Sequence, residues 1–415
     1  MILILCEILL CTIVYFEYRK FKLIAAPVTI LGGIYLLFMP LINLIGSKMG
    51  FISLTEKTIM LFTFFIFVLF CSGQVWVTYY TRNRKKVGSQ YLKEKLFLHE
   101  KTIWKIYILS LVCYVISLLQ VISRYGINDT KSHAYGPFAH IGFISRVLLP
   151  IILLYLIEKR KLKYIICVLV HFIALVMFKG KYHLYIPIGS FIILFFMLRQ
   201  NIKITKVIKV VLISFVSALV FFISVYTIIP NIVAGSVSKS SMSAGILFST
   251  KHFFHYLFCP FIASNEYFNN PLYRGVELGM KTNFNPLDVL YEQFLGNKKF
   301  FDPAISFWPI VDNLGSTGNV GGMFSESVLN IGYVGAICFV FGIGFIVYYF
   351  IIKTLVKGKR ILTSICLAGM LMMSFFCNYF TLFANFECLV YCYILDIVIF
   401  DVKFKIGKNS IIYRG

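Results

Sequence analysis

Apolar runs of membrane-spanning length follow one another at short intervals from Met1 to Pro230, stop, and resume at Ser325; few folds accept such a pattern. A helix needs about 20 apolar residues to cross a hydrocarbon core of ~30 Å, and these runs are of that order. The hydrophobic share of 59%, the charged share of 14% and a mean hydropathy of +0.85 lie outside the soluble range, where the apolar share is nearer ~45–50%. The runs lack the ten-residue alternation of a membrane β-barrel, so the spans are helices. The expected fold is an all-α polytopic membrane protein of about eleven transmembrane helices. Their approximate bounds are 2–16, 23–46, 58–80, 103–122, 140–157, 163–178, 182–198, 210–230, 325–352, 361–381 and 383–401.

Three regions follow: a bundle of about eight spans over 1–230, a large loop over 231–324, and three C-terminal spans with a short basic tail over 325–415. Orientation comes from the basic residues. Twenty-six Lys and Arg lie in the tail and in the links after odd-numbered spans, against thirteen in or near the alternate links. The positive-inside rule then puts the N-terminus outside, the tail in the cytoplasm and the large loop on the extracytoplasmic face. The first segment has its basic residues (Arg19, Lys20, Lys22) after the apolar run and none before it. That polarity is opposite to a cleaved signal peptide and predicts a retained first span.

The net charge of +23 is distributed over short links, which reads as topology signalling and argues against a nucleic-acid partner. Eleven cysteines lie mostly inside apolar runs with no Cys-x-x-Cys pair, so neither a disulfide framework nor a zinc site is indicated. No cofactor is expected.

Ionisable residues near the membrane are the candidates for function, because burying a charge in hydrocarbon costs about 2.5–3.5 kcal/mol even on lenient scales. On the outer side Arg124, Lys131, His133 and His140 lie between spans four and five, with Arg146 several residues into the fifth span. Lys179, Lys181 and His183 crowd the very short link between spans six and seven. Taken singly, such cations snorkel to lipid phosphates. Taken together, Arg124, Arg146, Lys179 and Lys181 have few carboxylates nearby, and an external anion such as a phosphate group would satisfy them.

Within the loop, Ala244 to Phe268 reads as an amphipathic helix lying along the outer surface, with Lys251, His252 and His255 on its polar side. No carboxylate or cysteine stands at a ligand spacing from the two histidines, so no metal site is expected. Farther along, Arg274 and Trp308 accompany several carboxylates and tyrosines, a mixture suited to stacking on sugar rings and hydrogen bonding their hydroxyls. The competing reading is a folded cap whose polar groups satisfy one another. His171 and Glu387, inside spans, are expected to be hydrogen-bonded packing residues.

The stretch Asn313-Leu-Gly-Ser-Thr-Gly-Asn-Val-Gly-Gly-Met-Phe-Ser-Glu326-Ser-Val-Leu-Asn-Ile-Gly332-Tyr-Val-Gly335 resembles a signature of the Wzy-type polymerases of O-antigen and capsular polysaccharide. Two further segments are similar to parts of that family: Lys179-Gly-Lys181 before a span, and His255-Tyr-Leu-Phe-Cys-Pro260. Relatives often carry Arg where this chain has Lys179 and Lys181, and Lys lacks the bidentate fork that Arg offers a pyrophosphate. The resemblance implies a C-type glycosyltransferase fold in a bacterial cytoplasmic membrane. It implies an enzyme that joins repeat units carried on undecaprenyl diphosphate, alongside membrane lipid and a flippase and chain-length regulator of the same pathway. Under that reading Arg124, Arg146, Lys179, Lys181, Arg274 and Trp308 hold substrate, and His252, His255 and Glu326 compete for the role of general base. The alternatives are a flippase or exporter of lipid-linked oligosaccharide, or a ligase that moves finished glycan to another acceptor.

Overall fold

The computed structural model describes residues 2–21, 24–83, 87–126, 130, 136–178, 182–199, 239–269, 309–318 and 320–401, with scattered positions between 205 and 227. Among these the regular structure is helical, and β pairing is limited to two isolated bridges, Phe51 with Asp312 and Ile310 with Thr317. The helices are α1 (Ile2–Phe21), α2 (Pro27–Leu41), α3 (Glu56–Arg82), α4 (Ser89–Leu98), α5 (Glu100–Tyr125) and α6 (Pro137–Lys159). They continue as α7 (Leu162–Met177), α8 (Tyr182–Leu198), α9 (Lys239–Asn269), α10 (Met323–Lys357), α11 (Ile361–Met373) and α12 (Phe383–Leu395). Six helical stretches among the described residues are long and apolar enough to cross a membrane: Pro27–Met49, Glu56–Arg82, Glu100–Tyr125, Pro137–Lys159, Met323–Lys357 and Phe383–Asp401. The protein is an all-α, multi-pass membrane protein.

The chain divides into two compact units. The first comprises Met1–Thr81, Arg199–Tyr348 and Met370–Asn385; the second comprises Arg82–Leu198, Tyr349–Gly369 and Phe386–Gly415.

An aromatic cluster forms the core of the first unit. Tyr35 of α2 lies 4.8 Å from Phe62 of α3, 5.1 Å from Phe261 of α9 and 5.4 Å from Phe324 of α10, by ring centroids. Phe65 stacks on Phe324 at 5.2 Å. Such pairs contribute about 0.5–1.5 kcal/mol each beyond area burial. That matters in a bilayer, where helix association depends on packing, there being no water to expel.

Helix α9 departs from the expected surface helix. Its first half exposes Leu247 and Phe248, but Phe258, Phe261, Ile262, Ala263, Tyr267 and Phe268 are buried in the aromatic core. The sequence shows a polar face at Lys251, His252 and His255; beyond Pro260 that face gives way to small and hydrogen-bonding groups that a core accepts. Ser264 bonds the Ser325 hydroxyl at 2.8 Å, while Asn265 takes the Thr55 amide at 3.0 Å and gives its own N–H to the Ser53 carbonyl at 3.0 Å. Helix α9 thereby pins the 50–55 turn, which Asn43 also holds through the Leu54 amide at 2.8 Å.

Helix α10 is broken at Gly332, whose φ of 70° and ψ of 177° no ordinary L-residue adopts comfortably. A short buried helix carrying Glu326 therefore precedes the long span. The expected tenth span, 361–381, is likewise interrupted: α11 ends at Met373 and a turn leads to a 3₁₀ segment at Tyr379–Thr381.

In the second unit α5 and α6 pack closely. A Cβ on Gly142 would meet the Tyr114 backbone at 2.9 Å, so only glycine permits this approach. Helix α4, in a link read from sequence only as basic, is held by the Tyr155 hydroxyl donating to the Leu96 carbonyl at 2.6 Å. Lys93 pairs with Glu158 at 2.8 Å and Lys159 with Glu100, so several of the link cations have carboxylate partners.

Candidate functional site

The residues singled out from the sequence fall in both units. In the second unit, Arg124 is exposed in the last turn of α5, where a cation meets the negative end of the helix dipole. Arg146 is different. It stands nine residues beyond Pro137, about 14 Å along the α6 axis at 1.5 Å per residue, and is only 2% exposed. A snorkelling arginine would reach lipid or water; this one is enclosed by protein. Its guanidinium carbon lies 4.9 Å from the Phe143 ring centre, and its Nε and Nη1 are buried without a hydrogen-bond partner among the described residues. It lines a small cavity with Val147, Pro150, Ser190, Cys366 and Cys388. An unpaired buried charge costs several kcal/mol, so the arrangement needs a counter-ion, and a guanidinium fork fits a phosphate oxygen pair. Lys179 and Lys181 lie outside the described residues, as do Arg274 and Trp308.

The second unit also joins residues that sequence alone did not connect. His140, in the first turn of α6, meets Glu387 of α12 with Nδ1 to Oε1 at 2.7 Å. The Tyr391 hydroxyl donates to the same oxygen at 2.7 Å. The other carboxylate oxygen, Oε2, is buried with no partner among the described residues. His140 was visible only as one of several link cations, and Glu387 only as a packing residue. They are 247 positions apart, so no local spacing pointed to the pair. His171 bonds Tyr107 at 3.0 Å in the interior, which is a packing arrangement.

In the first unit, Glu326 is buried and both its oxygens are engaged. Oε1 accepts the Gly321 amide at 3.0 Å, and Oε2 accepts the Asn378 amide at 2.8 Å. The carboxylate thus ties the head of α10 to the turn after α11. Its neighbour in sequence, Ser325, bonds Ser264, so this part of the family-like stretch is stitched into the core.

His252 and His255 lie on one side of α9, their ring centres 6.2 Å apart. Beside them Lys251 reaches Asp312 at 3.2 Å. Burial would push the Asp312 carboxyl up, but hydrogen bonds from Ser316, Lys251 and the Leu314 amide outweigh it and hold the group below the usual carboxylate range. His255 is displaced downward by burial, then by the charges of His252 and Lys251, which the opposing charge of Asp312 only partly offsets. A histidine kept neutral in this way is able to accept a proton. His252 packs against Phe248 at 5.8 Å and Tyr256 at 4.9 Å. Among the described residues no group of three His, Cys, Asp or Glu is placed to hold a metal ion.

The fold and these sites define a multi-pass membrane protein with a buried arginine that has no ion-pair partner among the described residues. Comparison with family models, with curated proteins and with solved structures found no match to this chain.

Proposed function

We propose that this protein is a metal-independent glycosyltransferase that polymerises oligosaccharide repeat units carried on undecaprenyl diphosphate, working at the extracytoplasmic face of a bacterial cytoplasmic membrane. The observation that carries the reading is Arg146: a protein-enclosed guanidinium with two nitrogens that have no hydrogen-bond partner among the described residues suits the diphosphate of a lipid-linked sugar, an anion delivered within the bilayer. The Wzy-like stretch around Glu326, the eleven-span topology with its loop outside, and a C-type glycosyltransferase fold belong to the same reading.

The nonreducing-end hydroxyl of one lipid-linked repeat attacks the anomeric carbon of the growing chain, and undecaprenyl diphosphate departs with the bonding electrons. Arg146 stabilises the charge that develops on this leaving group, where a preorganised cation acts most strongly. Arg124, at the exposed end of α5, meets incoming anions first.

Deleting the gene in its host tests the reading against its rivals. Surface glycan reduced from long chains to single repeats supports a polymerase. Polymer accumulating on the lipid carrier indicates a ligase, and arrest before export indicates a flippase. Unaltered chain length sinks the proposal.

A further inference from the structure

Phe143 stands three residues from His140 on one side and three from Arg146 on the other, a spacing at which helix side chains are neighbours. The Phe143 ring touches both neighbours: its centre is 6.1 Å from the His140 ring and 4.9 Å from the Arg146 guanidinium carbon. Arg146 and Glu387 are brought to one region of the unit, because Cys388, which follows Glu387 on α12, lines the same cavity as Arg146. Yet the two form no ion pair within 4.0 Å, and each retains a buried polar atom without a partner among the described residues. Nε and Nη1 of Arg146 and the second oxygen of Glu387, whose first oxygen is held by His140 and Tyr391, are the atoms a bound molecule would satisfy.

The tautomer of His140 follows from its partner. An ionised carboxylate only accepts hydrogen bonds, and Oε1 of Glu387 already receives the Tyr391 hydroxyl. His140 Nδ1 therefore carries the proton it shares with Glu387, and Nε2 is left with its lone pair available. The His140 side chain is 43% exposed while Glu387 is 13% exposed, so the histidine is the member of the pair a substrate can reach.

From this the geometry points to His140 as the general base of the transfer, with Glu387 of α12 as its positioning residue and Arg146, six residues farther along α6, at the leaving group. The inference rests on the proposed transferase function and names a base outside the loop. In the step, the acceptor hydroxyl oxygen bonds to the anomeric carbon as its proton passes to His140 Nε2. The anomeric carbon–oxygen bond to the diphosphate breaks, its electron pair leaves with the lipid diphosphate at Arg146, and the imidazolium returns its proton to water. Glu387 holds the ring in the accepting tautomer and stabilises the imidazolium. Tyr391 fixes the carboxylate. Glu326, engaged by two backbone amides, has less freedom for this role.

The test uses the full-length protein in lipid nanodiscs, with lipid-linked single repeats extracted from the gene-deletion strain as substrate and undecaprenyl diphosphate as the binding probe. His140→Asn keeps an N–H donor for Glu387 but offers no basic nitrogen. It should lower the polymerisation rate by about 10²-fold or more, bind undecaprenyl diphosphate within about twofold of wild type, and lose the acid limb of the pH–rate profile. Glu387→Gln should give a smaller loss and displace that limb, a readout that a packing role would not move. Arg146→Ala should lose probe binding. A His140→Asn rate within about threefold of wild type overturns the assignment and leaves the transferase reading standing, as does parallel loss of rate and probe binding. Failure of the wild-type protein to polymerise these repeats overturns the transferase reading and this assignment with it. Were His140→Asn absent from the membrane, Glu387→Gln decides: a wild-type rate and limb refute the pair.

Discussion

In the unit containing α1, α2, α3 and α9, Glu17, Glu326 and Asp312 act as backbone clamps, whereas in the unit containing α5 and α6 Arg146 and one oxygen of Glu387 are buried without hydrogen-bond partners among the described residues. Glu17 shows the first behaviour: it accepts the Thr29 amide at 2.5 Å and the Thr29 hydroxyl at 2.8 Å, and receives the Tyr348 hydroxyl. It thereby caps α2, whose own N-cap residue, Ala26, has no side-chain oxygen. Glu326 and Asp312 do likewise for the head of α10 and the 312–316 turn. A carboxylate with its partners in place contributes to folding; the buried guanidinium of Arg146, without such a partner among the described residues, is the group we assign to an incoming anion. The contrast separates a stability role from a binding role for residues that look equally conspicuous in the sequence.

The sharpest way to break the contrast is Arg146→Met. Removing an unpaired buried charge should abolish chain elongation in the host while leaving membrane abundance and the apparent melting temperature of the purified protein unchanged or raised. A large fall in melting temperature would make Arg146 a structural residue after all. Glu326→Ala should do the reverse of the expected result, chiefly lowering stability by about 1–3 kcal/mol for each amide left without an acceptor, read as lost membrane abundance. Glu326→Gln keeps one acceptor and should lose less; a Gln variant as stable as wild type but inactive would move Glu326 to the chemistry.

A smaller effect is expected at Asp396, which accepts the Leu362 and Thr363 amides at 3.0 and 2.9 Å at the start of α11. Asp396→Ala should cost about 0.5–2 kcal/mol, the usual range for a lost cap, with elongation following the amount of folded protein. Unchanged thermal stability would show that clamping is not general to both units. The smallest effect concerns pH. The folded protein disfavours protonation of His255, so its contribution to stability is present above the ordinary histidine value of ~6.5 and is lost as pH falls below it toward the depressed folded value. His255→Gln should flatten the acid side of the melting-temperature profile in that window; an unchanged slope assigns it to other groups.

Much of the membrane architecture was legible because a bilayer demands long apolar helices, and 58–80 and 103–122 fall inside α3 and α5. Breaks within helices were harder to see. Gly332 and the turn after Met373 interrupt apolar runs that hydropathy reads as continuous, because only the backbone conformation distinguishes them. Arg146 was legible as a charge inside an apolar run. That it lacks a partner was not, since this depends on which side chains the other helices bring to it. Polar residues of α9 suggested a surface helix, and the helix instead enters a core where Ser264 and Asn265 have partners from distant segments.

By itself, then, the sequence determined that the chain is a helical membrane protein, because apolar length and scarce charge are local properties that the bilayer reads segment by segment. The tertiary structure decided which charges are satisfied. Glu326 and Arg146 are each a lone ionisable residue in an apolar context, and only packing could give one its two backbone amides and leave the other enclosed with no counter-charge among the described residues. Hydrogen-bond partners are supplied by residues tens or hundreds of positions away, as Glu387 is to His140, so the information lies in the three-dimensional contacts and in no single segment of the chain.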